Sequence, residues 1–226
     1  MTGHDLPDVK PVRLRIWDAP TRLFHWTLVL LIAAAWWTAE ERMLDWHRLA
    51  GYCIAALLLF RLIWGLVGSE TARFSSFVHG PMAVAAYARG RRALSPGHNP
   101  LGGWSVIALL GLLCIQLVLG TLAVDVDGIE SGPFSYLVDF DTGRAAAEWH
   151  ELIFNILLGF IALHVAAVFF YLFFRRENLI GAMISGSRKW TGDPPVIRFA
   201  SLPLAFAIML GCALLVWIVI SWWGRA

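Results

Sequence analysis

Residues 148–164 of this 226-residue chain read EWHELIFNILLGFIALH, an apolar stretch that holds two histidines, His150 and His164. On an α-helix, fourteen residues turn through about 1400°, nearly four full circles, and rise about 21 Å. The two imidazoles therefore leave one face of the same helix, well separated along its axis. Ionisable side chains are rare inside membrane spans and mark functional sites there. The stretch predicts two sites stacked across a bilayer.

The composition is typical of a membrane protein, with 58% hydrophobic residues, 15% charged residues and a mean hydropathy of +0.66. Soluble domains carry about a quarter charged residues, and about twenty apolar residues cross a bilayer. Asp18 and Pro20 supply an N-cap and a first-turn proline, so the first helix begins before its apolar run. We predict an all-α membrane protein, a four-helix transmembrane bundle plus a fifth C-terminal helix. The five apolar runs are 24–39, 49–68, 101–124, 150–174 and 199–223.

Basic residues alternate between the connections. They are frequent in 1–22, 69–100 and 175–198 and scarce in 40–48 and 125–148. The positive-inside rule then places the N-terminus in the cytoplasm and the C-terminus outside, in a multi-pass membrane protein. Nucleic-acid binding is excluded, because no basic run is interleaved with aromatic residues. The predicted division is a cytoplasmic tail 1–18, a four-helix domain 19–176, a cytoplasmic connection 177–198 and an extra transmembrane helix 199–226.

Four histidines lie in the predicted spans or directly before one, and the direction of each helix sets their depth. His25 and His164 fall on the cytoplasmic half, whereas His47 and His150 fall on the outer half. Each pair joins two different helices, as a ligand held in a bundle core requires. The sequence therefore predicts two bis-histidine sites.

Such a pair, without cysteine or carboxylate neighbours, fits haem iron better than zinc or a di-iron centre. Zinc takes three or four protein ligands, and di-iron bundles need Glu together with Glu-x-x-His. We predict two haem b groups, one on His25/His164 at the cytoplasmic side and one on His47/His150 at the periplasmic side. Because both axial positions are filled, each site is suited to single-electron transfer. The alternative for each histidine is a simple hydrogen bond to a neighbouring helix.

Four further residues are candidates for cofactor binding. Gly51, one turn after His47, leaves room for a flat macrocycle, or else serves close helix packing. Arg61 lies fourteen residues after His47 and is a candidate for a haem propionate or a quinone oxygen, the alternative being snorkelling to the headgroups. Arg22 and Arg48 are propionate candidates or interfacial anchors.

Two regions are candidates for partner binding. The outer connection 125–148 is acidic, which suits a basic redox protein but also follows from the ordinary scarcity of Lys and Arg outside. The fifth helix, 199–223, carries no histidine or charge. It contacts a partner subunit or a second copy in a homodimer, or it is a plain anchor.

With these motifs the chain resembles the bacterial di-haem cytochrome b561 family, including the b-type cytochrome subunits of nickel–iron hydrogenases. The resemblance covers residues 13–190. Its motifs are Arg22-Leu23-Phe24-His25-Trp26, His47-Arg48-Leu49-Ala50-Gly51, Arg61-Leu62-Ile63-Trp64-Gly65, Gly97-His98-Asn99-Pro100-Leu101-Gly102-Gly103, His150-Glu151 with His164, and Asn178-Leu179-Ile180 with Met183-Ile184-Ser185-Gly186.

The resemblance implies electron transfer across the membrane through two b haems, between a quinone such as ubiquinone and a redox partner. That partner is expected to be a dehydrogenase, a hydrogenase or a c-type cytochrome. The ligands it implies are the same four histidines, and the fifth helix departs from the family's four-helix core. A self-contained quinol or superoxide oxidoreductase is an alternative, and a haem-free scaffold or transporter is another.

Overall fold

The computed structural model describes residues 12–90, 96–127 and 129–224. It contains five long helices, α1 (Ala19–Glu40), α2 (Leu44–Val67), α5 (Pro100–Leu122), α6 (Phe140–Phe173) and α8 (Leu202–Trp223). All five are long and apolar enough to cross a membrane, which confirms the predicted all-α membrane fold. The shorter elements are β1 (Val12–Arg15), α3 (Phe74–Phe77), α4 (Pro81–Ala88), α7 (Leu179–Ser185), β2 (Ser187–Trp190) and 3-10 turns at 70–72 and 135–137.

We name the two ends of the bundle by their connections. The basic face is the end at which α1 begins and α2 ends, and it carries the connections 68–99 and 174–201. The acidic face is the opposite end, with the connections 41–43 and 123–139. The charge pattern predicts that the basic face is cytoplasmic. Residues 1–11 of the predicted tail and residues 225–226 lie outside the described part of the chain.

Side-chain caps set the beginnings of the long helices. The Asp18 carboxylate accepts a hydrogen bond from the Thr21 amide at 2.7 Å, and Pro20 follows in the first turn, as predicted. The fourth span was predicted at 150–174, but α6 begins ten residues earlier because Asp139 caps it, accepting from the Thr142 amide. A helix of 34 residues is about 51 Å long, against about 30 Å of hydrocarbon. Its first turns therefore extend beyond the bilayer at the acidic face.

The long helices pack mainly in two pairs. α1 lies along α2, and α5 lies along α6. α8 packs on α2, and the two pairs meet most closely where α2 approaches α5. In the described residues, the backbone of α6 makes at most sparse approaches to α1 and α2. The histidines of the predicted sites therefore lie across the loosest interface of the bundle.

A short two-stranded sheet at the basic face was not predicted. β1 pairs antiparallel with β2, with Val12 opposite Trp190 and Arg15 opposite Ser187. Gly186, at the end of α7, adopts a left-handed φ of +79°, and its carbonyl accepts hydrogen bonds from the Ile16 and Trp17 amides. The predicted tail and the predicted connection 177–198 are thus joined through these strands.

Candidate functional site

The acidic-face pair consists of His47 on α2 and His150 on α6. Their imidazole ring centroids are 6.1 Å apart and their planes are inclined at 80°. The structure therefore brings together two histidines that lie 103 positions apart in the sequence (150 − 47), as the depth argument predicts.

Backbone carbonyls orient both rings. The Nδ1 atom of His47 lies 2.8 Å from the carbonyl oxygen of Ala35 on α1, and that of His150 lies 3.0 Å from the carbonyl oxygen of Gln116 on α5. Because a carbonyl oxygen only accepts, each Nδ1 carries the proton of its hydrogen bond. In the neutral ring, Nε2 then keeps a free lone pair, which is the tautomer that metal-ligating histidines adopt.

Gly120 on α5 makes the position of His150 possible. A Cβ built on Gly120 would lie 2.7 Å from Cε1 of the His150 ring, which is closer than real contacts allow. Gly120 lies one turn after Gln116, so the same helix provides both the acceptor and the space for the ring. The sequence analysis missed this residue, since a glycine in an apolar span has many other uses.

The acidic-face pair fits a metal held in a flat macrocycle. A histidine nitrogen lies about 2 Å from a bound metal, so two opposed ligands have ring centroids about 6 Å apart. Gly51, one turn after His47, has no neighbouring atom within 4 Å of a built Cβ, so no close helix contact among the described residues depends on this glycine. Within the described residues, no cluster of three or more His, Cys, Asp or Glu has the arrangement of a metal site. A zinc-type ligand set is therefore not formed in this part of the chain.

The basic-face pair consists of His25 on α1 and His164 on α6, whose imidazoles lie within electrostatic range of each other. The His25 ring packs edge-on against Trp26 at 4.9 Å. Its Nδ1 is buried and has no hydrogen-bond partner among the described residues. The orientation of the His25 ring is therefore fixed less firmly than the orientations of the His47 and His150 rings.

An apolar layer separates the two pairs. Leu157 lies seven residues from His150 and seven from His164, on the same face of α6, and is 1% exposed. It belongs to the main hydrophobic core together with Ile54 on α2 and Leu113 on α5. The centre of the bundle is thus packed with apolar side chains, with the histidine pairs on either side of it.

Arg61 points into the bundle, so the snorkelling alternative is wrong for this residue. It is 3% exposed, and its Cζ lies 4.9 Å from the centroid of the Phe74 ring and 6.0 Å from that of Phe77. The guanidinium also lies within electrostatic range of Asp18. A charge at this depth, near the basic-face pair, is a functional candidate.

The other two arginines have protein partners. Arg22 donates from Nε to the Asp18 carbonyl at 3.3 Å and from Nη1 to the Ile184 carbonyl, which fastens α7 to α1. Arg48 donates to the carboxylates of Asp45 at 2.6 Å and Glu130 at 2.8 Å. Their predicted contact with a haem propionate stays a prediction.

His98 was assigned only to a connection, but the structure places it beside the basic-face pair. Its ring lies 4.7 Å from Trp17 and 4.8 Å from Phe77, centroid to centroid, and it is within electrostatic range of Arg61 and His164. Burial, reinforced by these positive charges, lowers the pKa of His98 to about 3. The ring is therefore neutral at pH 7. The signals in the sequence are its place in the 97–103 motif of the resemblance and its position directly before the Asn99-Pro100 start of α5.

Comparison with known proteins places these features in a family. The family described as prokaryotic cytochrome b561 matches residues 16–186, which include all four histidines. No solved structure matches the chain.

Three curated relatives carry the name "Probable Ni/Fe-hydrogenase B-type cytochrome subunit". The protein of Azotobacter chroococcum mcd 1 is 25% identical over 222 residues, covering 82% of this chain and 92% of the relative. The Azotobacter vinelandii protein is 24% identical with the same coverage, and the Cupriavidus necator protein is 21% identical over 211 residues, covering 77% and 86%. The family match spans most of the bundle and includes every candidate ligand, so the chain belongs to the prokaryotic cytochrome b561 family, as a multi-pass bacterial membrane cytochrome of b type that transfers electrons.

Proposed function

We propose that this protein carries electrons across the membrane through two haem b groups. One group is held by His47 and His150 near the acidic face and the other by His25 and His164 near the basic face. The electrons pass between the quinone pool and a redox partner. The observation that carries the proposal is the acidic-face pair, in which two rings 6.1 Å apart are each hydrogen-bonded at Nδ1.

When bound, haem b supplies one-electron transfer between the ferric and ferrous states. His47 and His150 each offer Nε2, because the carbonyls of Ala35 and Gln116 hold the proton on Nδ1. These hydrogen bonds also raise the basicity of the ligating nitrogen. Two histidine ligands from the protein would favour electron transfer over binding of a substrate at the metal.

The long helix α6 contributes one histidine to each site. His150 and His164 are about 21 Å apart along the axis, a distance that spans most of the hydrocarbon core. The apolar layer around Leu157 keeps water from the region between them. A low-polarity path with a fixed length suits stepwise electron transfer from one face to the other.

The names of the relatives support a hydrogenase-type partner, since each is named a probable cytochrome subunit of a nickel–iron hydrogenase. A dehydrogenase or a c-type cytochrome is a partner of the same chemical class. A quinone as the diffusible electron carrier fits a chain with five described helices that are long and apolar enough to cross a membrane, because quinones dissolve in the lipid phase.

The test is haem counting combined with single histidine variants. The protein purified in detergent is expected to contain two b haems per chain in a pyridine haemochrome assay. His47→Ala and His150→Ala should remove one and the same haem, identified by its midpoint potential. His25→Ala and His164→Ala should both remove the other.

His79→Ala is the matched control, because His79 lies in the connection between α3 and α4 and belongs to neither pair. It should retain both haems. Absence of b haem from the wild-type protein, or loss of different haems from His47→Ala and His150→Ala, would contradict the proposal.

A further inference from the structure

A buried positive charge near the basic-face pair has no carboxylate bound to it in the described part of the chain. The ion pairs among the described residues join Arg48 to Asp45 and Glu130, and Arg144 to Glu148. None of them includes Arg61, although Arg61 is 3% exposed. A buried charge costs several kcal/mol unless it is paired and hydrogen-bonded.

Asp18 lies within electrostatic range of Arg61, but no ion pair joins the two among the described residues. The Asp18 carboxylate instead accepts hydrogen bonds from the Thr21 amide at 2.7 Å and from Trp64 Nε1 at 3.0 Å. Asp18 therefore lowers the electrostatic cost of Arg61 only from a distance. The Nη1 atom of Arg61 is buried and has no hydrogen-bond partner among the described residues.

Other polar atoms in this region share that property. Buried groups without a hydrogen-bond partner are rare, and each calls for an explanation. Among the described residues, the unpartnered buried atoms at the basic face are Thr21 Oγ1, His25 Nδ1, Arg61 Nη1 and His98 Nδ1. Elsewhere they are Gln116 Oε1 and Asp125 Oδ1, while both Nδ1 atoms of the acidic-face pair are hydrogen-bonded.

We propose that Arg61 and His98 together bind a carboxylate of the haem at the basic-face site, Arg61 as the cation and His98 as a neutral N–H donor. This inference rests on the proposed function, and it assigns His98 a role in positioning the cofactor. Haem carries two propionate side chains, and a planar guanidinium binds a carboxylate through two parallel hydrogen bonds.

The surroundings favour an anion over a neutral ligand. His98 directly precedes Asn99, the N-cap of the 23-residue helix α5, so the positive end of that helix dipole points toward the same region. The aromatic rings of Phe74, Phe77 and Trp17 form the apolar walls around the two donors. Low local polarity strengthens a charge-assisted hydrogen bond.

The test uses the complete protein with both haems and three variants. Arg61→Gln removes the charge, and His98→Phe removes the N–H but keeps an aromatic ring between Trp17 and Phe77. His79→Phe is the matched control in a neighbouring connection. The readouts are haem content per chain and the midpoint potential of each haem in an anaerobic redox titration.

Arg61→Gln is expected to favour the oxidised state of one haem by about tenfold, a fall in potential of about 59 mV for a one-electron couple. The affected haem should be the one that His25→Ala and His164→Ala remove. His98→Phe should shift the same haem in the same direction by a smaller factor. The other haem, and both haems of His79→Phe, should keep their potentials.

Unchanged potentials in Arg61→Gln and His98→Phe would overturn the inference. If the KM for a quinone analogue rose while both potentials stayed constant, the two donors would bind a quinone oxygen, which also overturns it. Should Arg61→Gln not accumulate in the membrane, His98→Phe carries the test alone, and an unchanged potential of the haem at the basic-face site in that variant would overturn the inference. A wild-type protein without haem would instead refute the proposed function.

Discussion

Replacing Gly120 with alanine should damage the acidic-face site selectively. The added methyl would lie 2.7 Å from Cε1 and 3.1 Å from Nδ1 of the His150 ring, whereas ordinary contacts begin at 3.4 Å. The ring must therefore retreat by about 0.7 Å (3.4 − 2.7). It is held at its Nδ1 by the carbonyl of Gln116, 3.0 Å away, and a retreat of this size bends or breaks that hydrogen bond.

The expected effect follows from the role of that hydrogen bond. Loss of the group that orients a metal-ligating histidine weakens metal binding by about 10- to 100-fold. This corresponds to about 1.4–2.8 kcal/mol, since each factor of ten is about 1.4 kcal/mol. Alanine also favours a helix over glycine by about 1 kcal/mol, so the whole protein need not become less stable. The loss should appear in one haem and not in the fold.

The assay is haem retention of the purified variant, measured by pyridine haemochrome and by the amplitude of each step in a redox titration. Gly111→Ala is the matched control, because Gly111 lies on the same helix and a Cβ there meets nothing within 4 Å. It carries the same change in helix propensity without the contact. Full retention of both haems with unchanged potentials in Gly120→Ala would refute the reasoning, as would equal loss in the two variants.

Two further predictions concern stability. Gly186→Ala should lower the melting temperature, because a left-handed φ costs a non-glycine residue about 1–2 kcal/mol and the new Cβ would lie 2.8 Å from the Trp17 carbonyl oxygen. Gly192→Ala is the control, because Gly192 has a φ of +93° but a Cβ there meets no atom within 4 Å, so this variant carries only the cost of the left-handed backbone. Equal destabilisation by the two variants would contradict a steric contribution at Gly186. Hydrogen bonds from the backbone and side chain of Thr142 lower the pKa of Asp139. The cap therefore stabilises α6 fully at pH values above the ordinary pKa of a carboxylate, and this stabilisation is lost as the pH falls through the lowered pKa. Asp139→Ala should therefore melt below wild type at pH 7 but not at a pH below the lowered value; an equal deficit at both would argue against a carboxylate cap.

The sequence predicts the framework of this protein well, because helix spans are encoded in continuous apolar runs. The five spans were placed by hydropathy, and the start of α1 followed from Asp18 and Pro20. The start of α6 was missed, because residues 140–149 are mixed in character and extend the helix beyond the bilayer under the control of a local cap at Asp139.

The depth and partners of the acidic-face histidines were also predictable, since the direction of each helix follows from its connections. The groups that orient them were not. His47 and His150 are oriented by the backbone carbonyls of Ala35 and Gln116. Every residue has a backbone carbonyl, so the residue type does not show which one acts as the acceptor. Gly120 is recognisable only when its distance to the His150 ring is known.

Long-range pairing explains the remaining differences. β1 and β2 lie about 170 residues apart in the chain, and neither is long or strongly alternating, so no local pattern predicts their contact. His98 sits in a short connection rich in turn residues, where exposure is the ordinary expectation. Its contact with Trp17 and Phe77 depends on how the ends of three helices are brought together.

Because α6 is one continuous helix, the number of residues between His150 and His164 fixes both the distance and the relative direction of the two proposed ligands. One inserted residue between His150 and His164 would turn the second histidine by about 100° around the axis, away from its partner on α1. Seven inserted residues would restore the face but displace the site by about 10 Å along the axis. The fourteen-residue interval on α6 is therefore expected to be invariant wherever both proposed sites are used.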